Sequence, residues 1–193
     1  GVSLRLNLQR HAVHDVWYPG SARTGGRPGG AGIPPPLGTV TIRSPEQRRE
    51  LAEFGLDAQL GPGQLSAEVW RQDVFRQIRA FSARLGRDYV RNDVTFSTGG
   101  VRARYVLPMG EAQMLTAGAE SWRMRADPER YMDNNAPFFN NNRRNDPFDQ
   151  GSLRSSGLFV QDEIEWGRAR IIAGARYDRI EGGTRANVGF RYA

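Results

Sequence analysis

The chain has 193 residues, enough for one ordinary domain or for part of a larger one. It carries 27 basic residues, all arginine, against 21 acidic ones, which gives a net charge of +6. Cysteine is absent, so disulfide scaffolds, cysteine-ligated zinc and thiol catalysis are excluded. No apolar run approaches the roughly 20 residues of a membrane-spanning helix, and patterned apolar residues argue against disorder. A β protein remains, either soluble or a membrane barrel.

Apolar and polar residues alternate with a period of two along most of the chain, which is the pattern of β-strands. In the first strand Leu4, Leu6 and Leu8 alternate with polar residues, and Phe54 and Leu56 do so in the second. The pattern predicts eight strands, at 2–13, 47–60, 64–80, 90–107, 113–125, 154–166, 169–181 and 185–192.

The connections between these strands differ in length. Those at Gly61-Pro62-Gly63, at 108–111 and near Gly167 are short, whereas those at 14–46, 81–89 and 126–153 are long. A very short joint near Gly182-Gly183 is the exception. Short periplasmic turns and long external loops are typical of transmembrane barrels. Strands of ten or more residues also exceed the five or six of soluble sheets. We therefore expect an all-β fold, an antiparallel transmembrane β-barrel.

On a barrel, one face of each strand meets lipid and the other faces the lumen. Tyr105 and Trp166 lie near short turns and suit an aromatic girdle at the membrane interface, although they could instead be core residues of a soluble sheet. Asp162 falls on an otherwise apolar face, where an acidic residue costs up to a few kcal/mol near the bilayer midplane. We expect it close to the periplasmic rim, or at a change of register. The polar faces give the predicted lumen wall, Arg102, Arg104, Glu120 and Arg176.

One strand pair carries a family resemblance. Val160-Gln161-Asp162-Glu163 lies in one strand, and Gly174-Ala175-Arg176-Tyr177-Asp178 lies in the next, after a short turn. This pair resembles a strand pair of TonB-dependent outer-membrane receptors, and 115–120 and 10–20 are weakly similar to the same family.

The resemblance implies a place in a larger assembly. Family members have a 22-stranded barrel that encloses an N-terminal plug, and they are energised through a TonB box. By the resemblance, residues 1–193 are an interior portion of such a barrel in the cell outer membrane, with the plug domain and the TonB box absent. It implies TonB-energised uptake of a scarce ligand such as a ferric siderophore. The implied partners are that ligand, outer-membrane lipid and lipopolysaccharide, and the TonB energising complex, reached through the missing plug.

Two other interpretations stay open. A complete small barrel of eight strands would have a structural, adhesive or lipid-interacting role. A soluble β-sandwich would act as a binding module.

The long external loops hold the candidate ligand-binding residues. Aromatic rings together with arginine suit an anionic, partly aromatic ligand such as a ferric siderophore. The candidates are Trp17, Tyr18, Arg23, Tyr131, Phe138, Phe139, Arg143 and Arg144. Alternatively, the loop arginines pair with lipopolysaccharide phosphates, or with Asp146 and Asp149. The lumen arginines could guide a ligand, but bridging to the plug or within the wall is favoured for most of them.

The sequence gives little support for a metal site, for catalysis or for nucleic-acid binding. His11 and His14 lack a third metal ligand and are expected to be polar residues where a strand leaves the membrane. No nucleophile motif surrounds a serine, and Asp162 and Glu163 point to opposite faces of one strand. The sequence therefore predicts no enzyme, no catalytic residue, no metal and no cofactor. Nucleic-acid binding is not expected either, because the arginines are spread over alternating strands.

Overall fold

The computed structural model describes residues 1–24, 37–133, 142–144 and 146–185. This part of the chain forms one antiparallel sheet of eight strands. The strands are β1 (Val2–Thr24), β2 (Thr39–Leu60), β3 (Gly63–Ser82), β4 (Arg87–Pro108), β5 (Gln113–Met132), β6 (Arg143–Arg144), β7 (Gly151–Trp166) and β8 (Ala169–Gly183). Within the described ranges, no helix combines the length and the apolar character needed to cross a membrane.

Each long strand pairs with its neighbours in the sequence, in the order β1-β2-β3-β4-β5-β7-β8, and the short β6 pairs with the end of β5. Leu56 lies opposite Ala67, Ala67 opposite Ala103, Ala103 opposite Ala119, and Ala119 opposite Leu158. Because opposite residues share a face of the sheet, the apolar face of each strand continues across the whole sheet. All long strands lie in this one sheet, whereas a sandwich needs two packed sheets. The sandwich interpretation is therefore wrong for the described residues.

The strand ends next to the short turns agree with the prediction, and the opposite ends do not. β1 continues to Thr24, β2 already begins at Thr39, and β5 continues to Met132. The expected long loop at 81–89 is wrong, because β3 and β4 are joined by residues 83–86 alone. Gly86 has a φ of 64°, the left-handed conformation that allows such a tight turn.

Two further predictions concern the end of the chain. Gly182 and Gly183 are the last residues of β8, two residues beyond the expected end of this strand. The short joint after them stays a prediction, since the next expected strand is not described. The expected strand at 185–192 lies outside the described residues, apart from Arg185.

The exposed apolar side chains form a band beside the short turns. Leu6 is 70% exposed, and Leu158 is 62% exposed, on the same face of the sheet. A tilted transmembrane strand needs about 9–11 residues, whereas β1 has 23. About half of each of the strands β1 to β5 therefore continues beyond the apolar band, on the side of the long connections. The shorter β7 and β8, of 16 and 15 residues, extend less far beyond it.

A small buried core lies at that far end. Leu37, Val40 and Ala80 are buried together, and Tyr89 packs against them. The Ser82 hydroxyl donates a hydrogen bond of 2.5 Å to the Leu37 carbonyl oxygen, which fixes the connection onto the sheet. Many large apolar side chains outside this core are exposed, among them Leu4, Leu158 and Trp166, as in a barrel wall and unlike a globular core.

Candidate functional site

The face opposite the apolar band carries a row of alternating charges. The Arg102 guanidinium lies 2.8 Å from a carboxylate oxygen of Glu68. Arg176 pairs with Asp178 at 2.8 Å and also with Glu120, which lies directly opposite Arg102 in the β4–β5 register. Arg102 and Glu120 lie in one row of the register, whereas Arg176 lies opposite Phe159 and reaches Glu120 across β7. Each of these three predicted wall residues has a partner of opposite charge.

Arg104, the fourth predicted wall residue, differs from the other three. It lies opposite Ser66 on β3 and Gly118 on β5. Its side chain is exposed, and in the described ranges no carboxylate pairs with it. Arg104 is therefore the wall cation whose charge is available to another molecule or to another part of the protein.

A first cluster at the far end of the strands is built around Arg43 of β2. Its guanidinium lies 5.5 Å from the ring centre of Trp17 and 6.0 Å from that of Phe81, within the range of cation–π contacts. The two rings meet edge to face at 5.6 Å. Arg43 also donates two hydrogen bonds, of 3.0 and 2.6 Å, to Asp88. The hydrogen bond to Asp88 raises the pKa of Arg43, so the guanidinium stays charged.

The other candidates on β1 have local partners. Trp17, Tyr18 and Arg23 lie in strand β1 and not in the external loop where we expected them. The Tyr18 hydroxyl accepts a hydrogen bond of 2.6 Å from the Gln47 amide. Arg23 donates to the carbonyl oxygens of Gly20 and Ala22, which are its own neighbours in the chain.

A second cluster lies where β5 meets β6. The Arg91 guanidinium is 5.2 Å from the ring centre of Tyr131 and donates a 2.6 Å hydrogen bond to the Asn142 side chain. Arg144 lies opposite Tyr131 and contacts Asp146 at 2.6 Å; that hydrogen bond raises the pKa of Arg144. Asp146 was one of the two acidic partners expected for the loop arginines.

The three remaining candidates of this region have no described side-chain contact. Arg143 is exposed and lies opposite Met132. Phe138 and Phe139 lie outside the described residues.

The comparison with protein families fits this geometry. A family model described as TonB dependent receptor-like, beta-barrel, matches residues 4–192. The chain belongs to this family. No curated protein and no solved structure shows a significant match to it. The family match and the continuous antiparallel sheet together confirm the barrel fold expected from the alternation. Members of this family are receptors and transporters and not enzymes.

In the TonB-dependent receptor barrel, the candidate ligand residues do not converge on one pocket. Among the described candidates, Trp17 lies in the first cluster, and Tyr131 and Arg144 lie in the second. The two clusters are on opposite flanks of β4, which contributes Asp88 to the first and Arg91 to the second. The sequence reasoning missed Arg43, Phe81 and Asp88. Arg43 and Phe81 were within reach, because an arginine and an aromatic residue near strand ends are the same signal that selected Trp17 and Arg23. Their pairing depends on the register, which the sequence alone does not give.

The two histidines of the barrel are three positions apart on β1. Side chains three apart in a strand point to opposite faces, and His11 lies opposite Arg49, whereas His14 lies opposite Glu46. The described part of the chain brings no three metal-ligating side chains together.

Asp162 of the barrel has a local explanation. The Gln113 amide donates hydrogen bonds of 3.0 and 2.8 Å to its two carboxylate oxygens. Gln113 is the first residue of β5, next to a short turn, and the β5–β7 register is unbroken there. The expectation of a position near the short-turn rim is therefore confirmed, and the alternative of a register change is wrong.

Proposed function

We propose that this chain is the wall of an outer-membrane receptor that takes up a scarce ligand, such as a ferric siderophore, with energy from the TonB complex. The observation that carries the proposal is the separation of two faces over seven long strands. One face is an apolar band that suits lipid, and the opposite face is a charged wall that suits a polar interior. The family match supports the same function.

The two clusters suit the first contact with such a ligand. They lie beyond the apolar band, on the side of the long connections, which faces outward in barrels of this kind. Trp17 and Tyr131 present rings, and each has a guanidinium beside it. The charge of Arg43 is paired with Asp88, whereas Arg91 donates to the neutral amide of Asn142 and keeps its positive charge for a ligand. Rings and guanidinium groups together recognise ligands that are anionic and partly aromatic. In this proposal Arg143, Arg144, Tyr18 and Arg23 extend the same surface. Phe138 and Phe139, which lie outside the described residues, stay predicted ligand contacts.

The lumen wall would act in the next step. Glu68–Arg102 and Glu120–Arg176 are closed ion pairs, so they hold the wall together and leave little net charge. Arg104 is the wall residue available to a passing anion or to a carboxylate of the plug. The proposal assigns the plug and the TonB box to parts of the protein outside residues 1–193, and energy from the TonB complex reaches the wall through them.

The test uses the full-length receptor in its own cells, with the gene deleted and restored. Uptake of radiolabelled ferric siderophores is measured with and without a protonophore, which removes the energy that TonB transmits. We expect one ligand whose uptake needs both the gene and the proton gradient. Uptake of every tested scarce ligand at the wild-type rate in the deleted strain would contradict the proposal.

A pair of matched variants tests whether the second cluster contacts the ligand. Tyr131→Ala removes the ring beside Arg91, whereas Tyr177→Ala removes an outward-facing ring that is 69% exposed on the apolar face. We expect weaker ligand binding in the first variant and unchanged binding in the second.

A further inference from the structure

The lipid-facing side of the sheet is not uniform, because it contains an apolar groove. Phe54 and Leu56 of β2 form one wall, and Leu158 and Tyr177 form the other. The floor between them consists of small residues, among them Ala67, Ala103, Ala119 and Ser121. The groove has a volume of about 730 Å³. Large side chains at both sides and methyl groups between them leave room for an extended hydrocarbon chain.

An arginine cluster lies directly beyond this groove, on the same face and on the side away from the short turns. A second cavity, of about 510 Å³, is lined by Arg71, Arg123, Arg125 and Arg154. Both cavities are also lined by Val69, Val101 and Ser121, so the groove runs into the arginine cluster.

The charges of this cluster are incompletely balanced by the protein. Arg123 lies directly opposite Arg154, and like charges at opposite positions of a sheet destabilise it. In the described ranges Arg123, Arg125 and Arg154 have no carboxylate partner, whereas Arg71 pairs with Asp73 at 3.0 Å. Glu181, the residue opposite Arg154, is bound by Arg179 at 2.6 Å. An external anion would supply the missing counter-charge.

The backbone leaves space for that anion. Gly99 lies between Arg71 and Arg123 in the row of opposite residues. A side chain at this position would approach only the Trp70 carbonyl oxygen, at 3.4 Å, so the space in front of Gly99 is open. Guanidinium groups on both sides of an open position suit bidentate binding of phosphate oxygens.

We infer that the groove and the arginine cluster bind one phosphorylated lipid of the outer leaflet. Its phosphate groups lie among Arg123, Arg125 and Arg154, and one acyl chain lies over Ala103 and Ala119. The order of the two cavities fits a lipid, because the apolar groove is next to the short turns and the arginines are farther out, at the level of the headgroups. This inference rests on the outer-membrane location in the proposed function, but not on the transported ligand.

The experiment measures lipid binding to the purified full-length receptor in detergent. The probes are hexa-acylated lipid A with two phosphates, the same lipid without phosphates, phosphatidylcholine and inorganic phosphate. We expect the phosphorylated lipid to bind at least about tenfold more tightly than the dephosphorylated one, because charge-assisted hydrogen bonds are lost. Equal binding of both lipids would overturn the role of the arginines. Displacement by millimolar inorganic phosphate alone would show a simple anion site and overturn the lipid assignment.

Variants locate the site. The double variant Arg123→Gln, Arg154→Gln should weaken binding of the phosphorylated lipid about tenfold or more. The control is Arg10→Gln, which changes an arginine of the same face that pairs with Glu50 at 3.5 Å and lies outside both cavities. The control should bind as the wild type does, and an equal loss in both variants would overturn the inference.

A third variant tests the groove, and two further measurements keep the outcomes apart. Ala103→Leu should weaken binding of lipids with long acyl chains by filling the floor, and unchanged binding would overturn the position of the chain. Heat-dependent migration on gels shows that each variant is folded. Ligand uptake is measured in the same variants, so loss of lipid binding with normal uptake is distinguishable from failure of the proposed transport function.

Discussion

Arg176 on β8 and Glu120 on β5 form an ion pair across the whole width of strand β7. Gly157 of β7 lies opposite Glu120 on one side and Asp178 on the other, and Arg176, two positions from Asp178 on β8, reaches Glu120 past Gly157. The bridge can form because Gly157 has no side chain. A Cβ atom there would lie 3.1 Å from the Arg176 guanidinium and would overlap the Asp178 carboxylate. The absence of a side chain at Gly157 thus allows the ion pair between Arg176 and Glu120 to form across β7.

Gly157→Leu is therefore expected to separate Arg176 from Glu120 and to lower the midpoint of unfolding in urea. Glu120→Gln should lower the midpoint in the wild-type background, but not in the Gly157→Leu background, where the bridge is already absent. The control is Gly182→Leu, in which the added side chain only reaches ordinary contact with Leu153, at 3.4 Å. An equal effect of Glu120→Gln in all three backgrounds would show that Gly157 does not control the bridge.

Arg104 and Arg102 offer a comparison between two wall arginines on one strand and one face. Arg104→Gln should leave the unfolding midpoint unchanged, because no carboxylate of the described chain loses a partner, and should reduce ligand uptake about tenfold by removing one charged contact. Arg102→Gln leaves Glu68 without its partner at 2.8 Å, so it should lower stability. Radiolabelled uptake per folded receptor, together with urea unfolding, separates the two effects. If Arg104→Gln lowers stability but leaves uptake normal, Arg104 has a structural role and does not contact the ligand.

The sequence predicts the membrane-facing part of the fold well. Leu56, Ala103 and Ile171 each alternate with polar residues, and each lies on the same apolar face. This succeeds because the contrast between lipid and lumen acts on every residue in turn. The turns at Gly61 and Gly167 were also predictable, and both glycines have the positive φ that a tight turn requires, 60° and 63°.

The outer halves of the strands were not predictable in the same way. Beyond the apolar band water reaches both faces, so the period-two contrast disappears, and β1 from His14 to Thr24 reads like a loop. Pairs between distant strands were also hidden, such as Arg43 with Asp88. Part of the arginine cluster was predictable from the sequence. Arg123 and Arg125 are two positions apart, so they share a face of β5.

Gln113 and Asp162 allow a test of how the barrel tolerates an acidic residue on its apolar face. Gln113→Leu removes the only donor observed for Asp162 in the described chain and should lower the free energy of unfolding by about 1–3 kcal/mol. Replacing both residues by leucine should restore most of this loss, because two apolar side chains then face lipid. Unfolding in urea, followed by tryptophan fluorescence in lipid vesicles, gives the free energies. If the double variant is less stable than Gln113→Leu, the amide is not the compensating group.

Tyr105 of β4 reaches across the end of β3 beside a short turn, and its ring lies against Gly63, the first residue of β3. Its hydroxyl donates a hydrogen bond of 2.7 Å to the Leu60 carbonyl oxygen, at the end of β2. Tyr105→Phe removes the hydrogen bond and keeps the ring, so it should cost about 1 kcal/mol, and Tyr105→Ala should cost more because it also uncovers Gly63. Tyr177→Phe is the control, since the Tyr177 hydroxyl has no hydrogen-bond partner among the described residues. Equal unfolding free energies for Tyr105→Phe and the wild type would mean that Tyr105 acts only through its ring, as a girdle residue at the membrane interface.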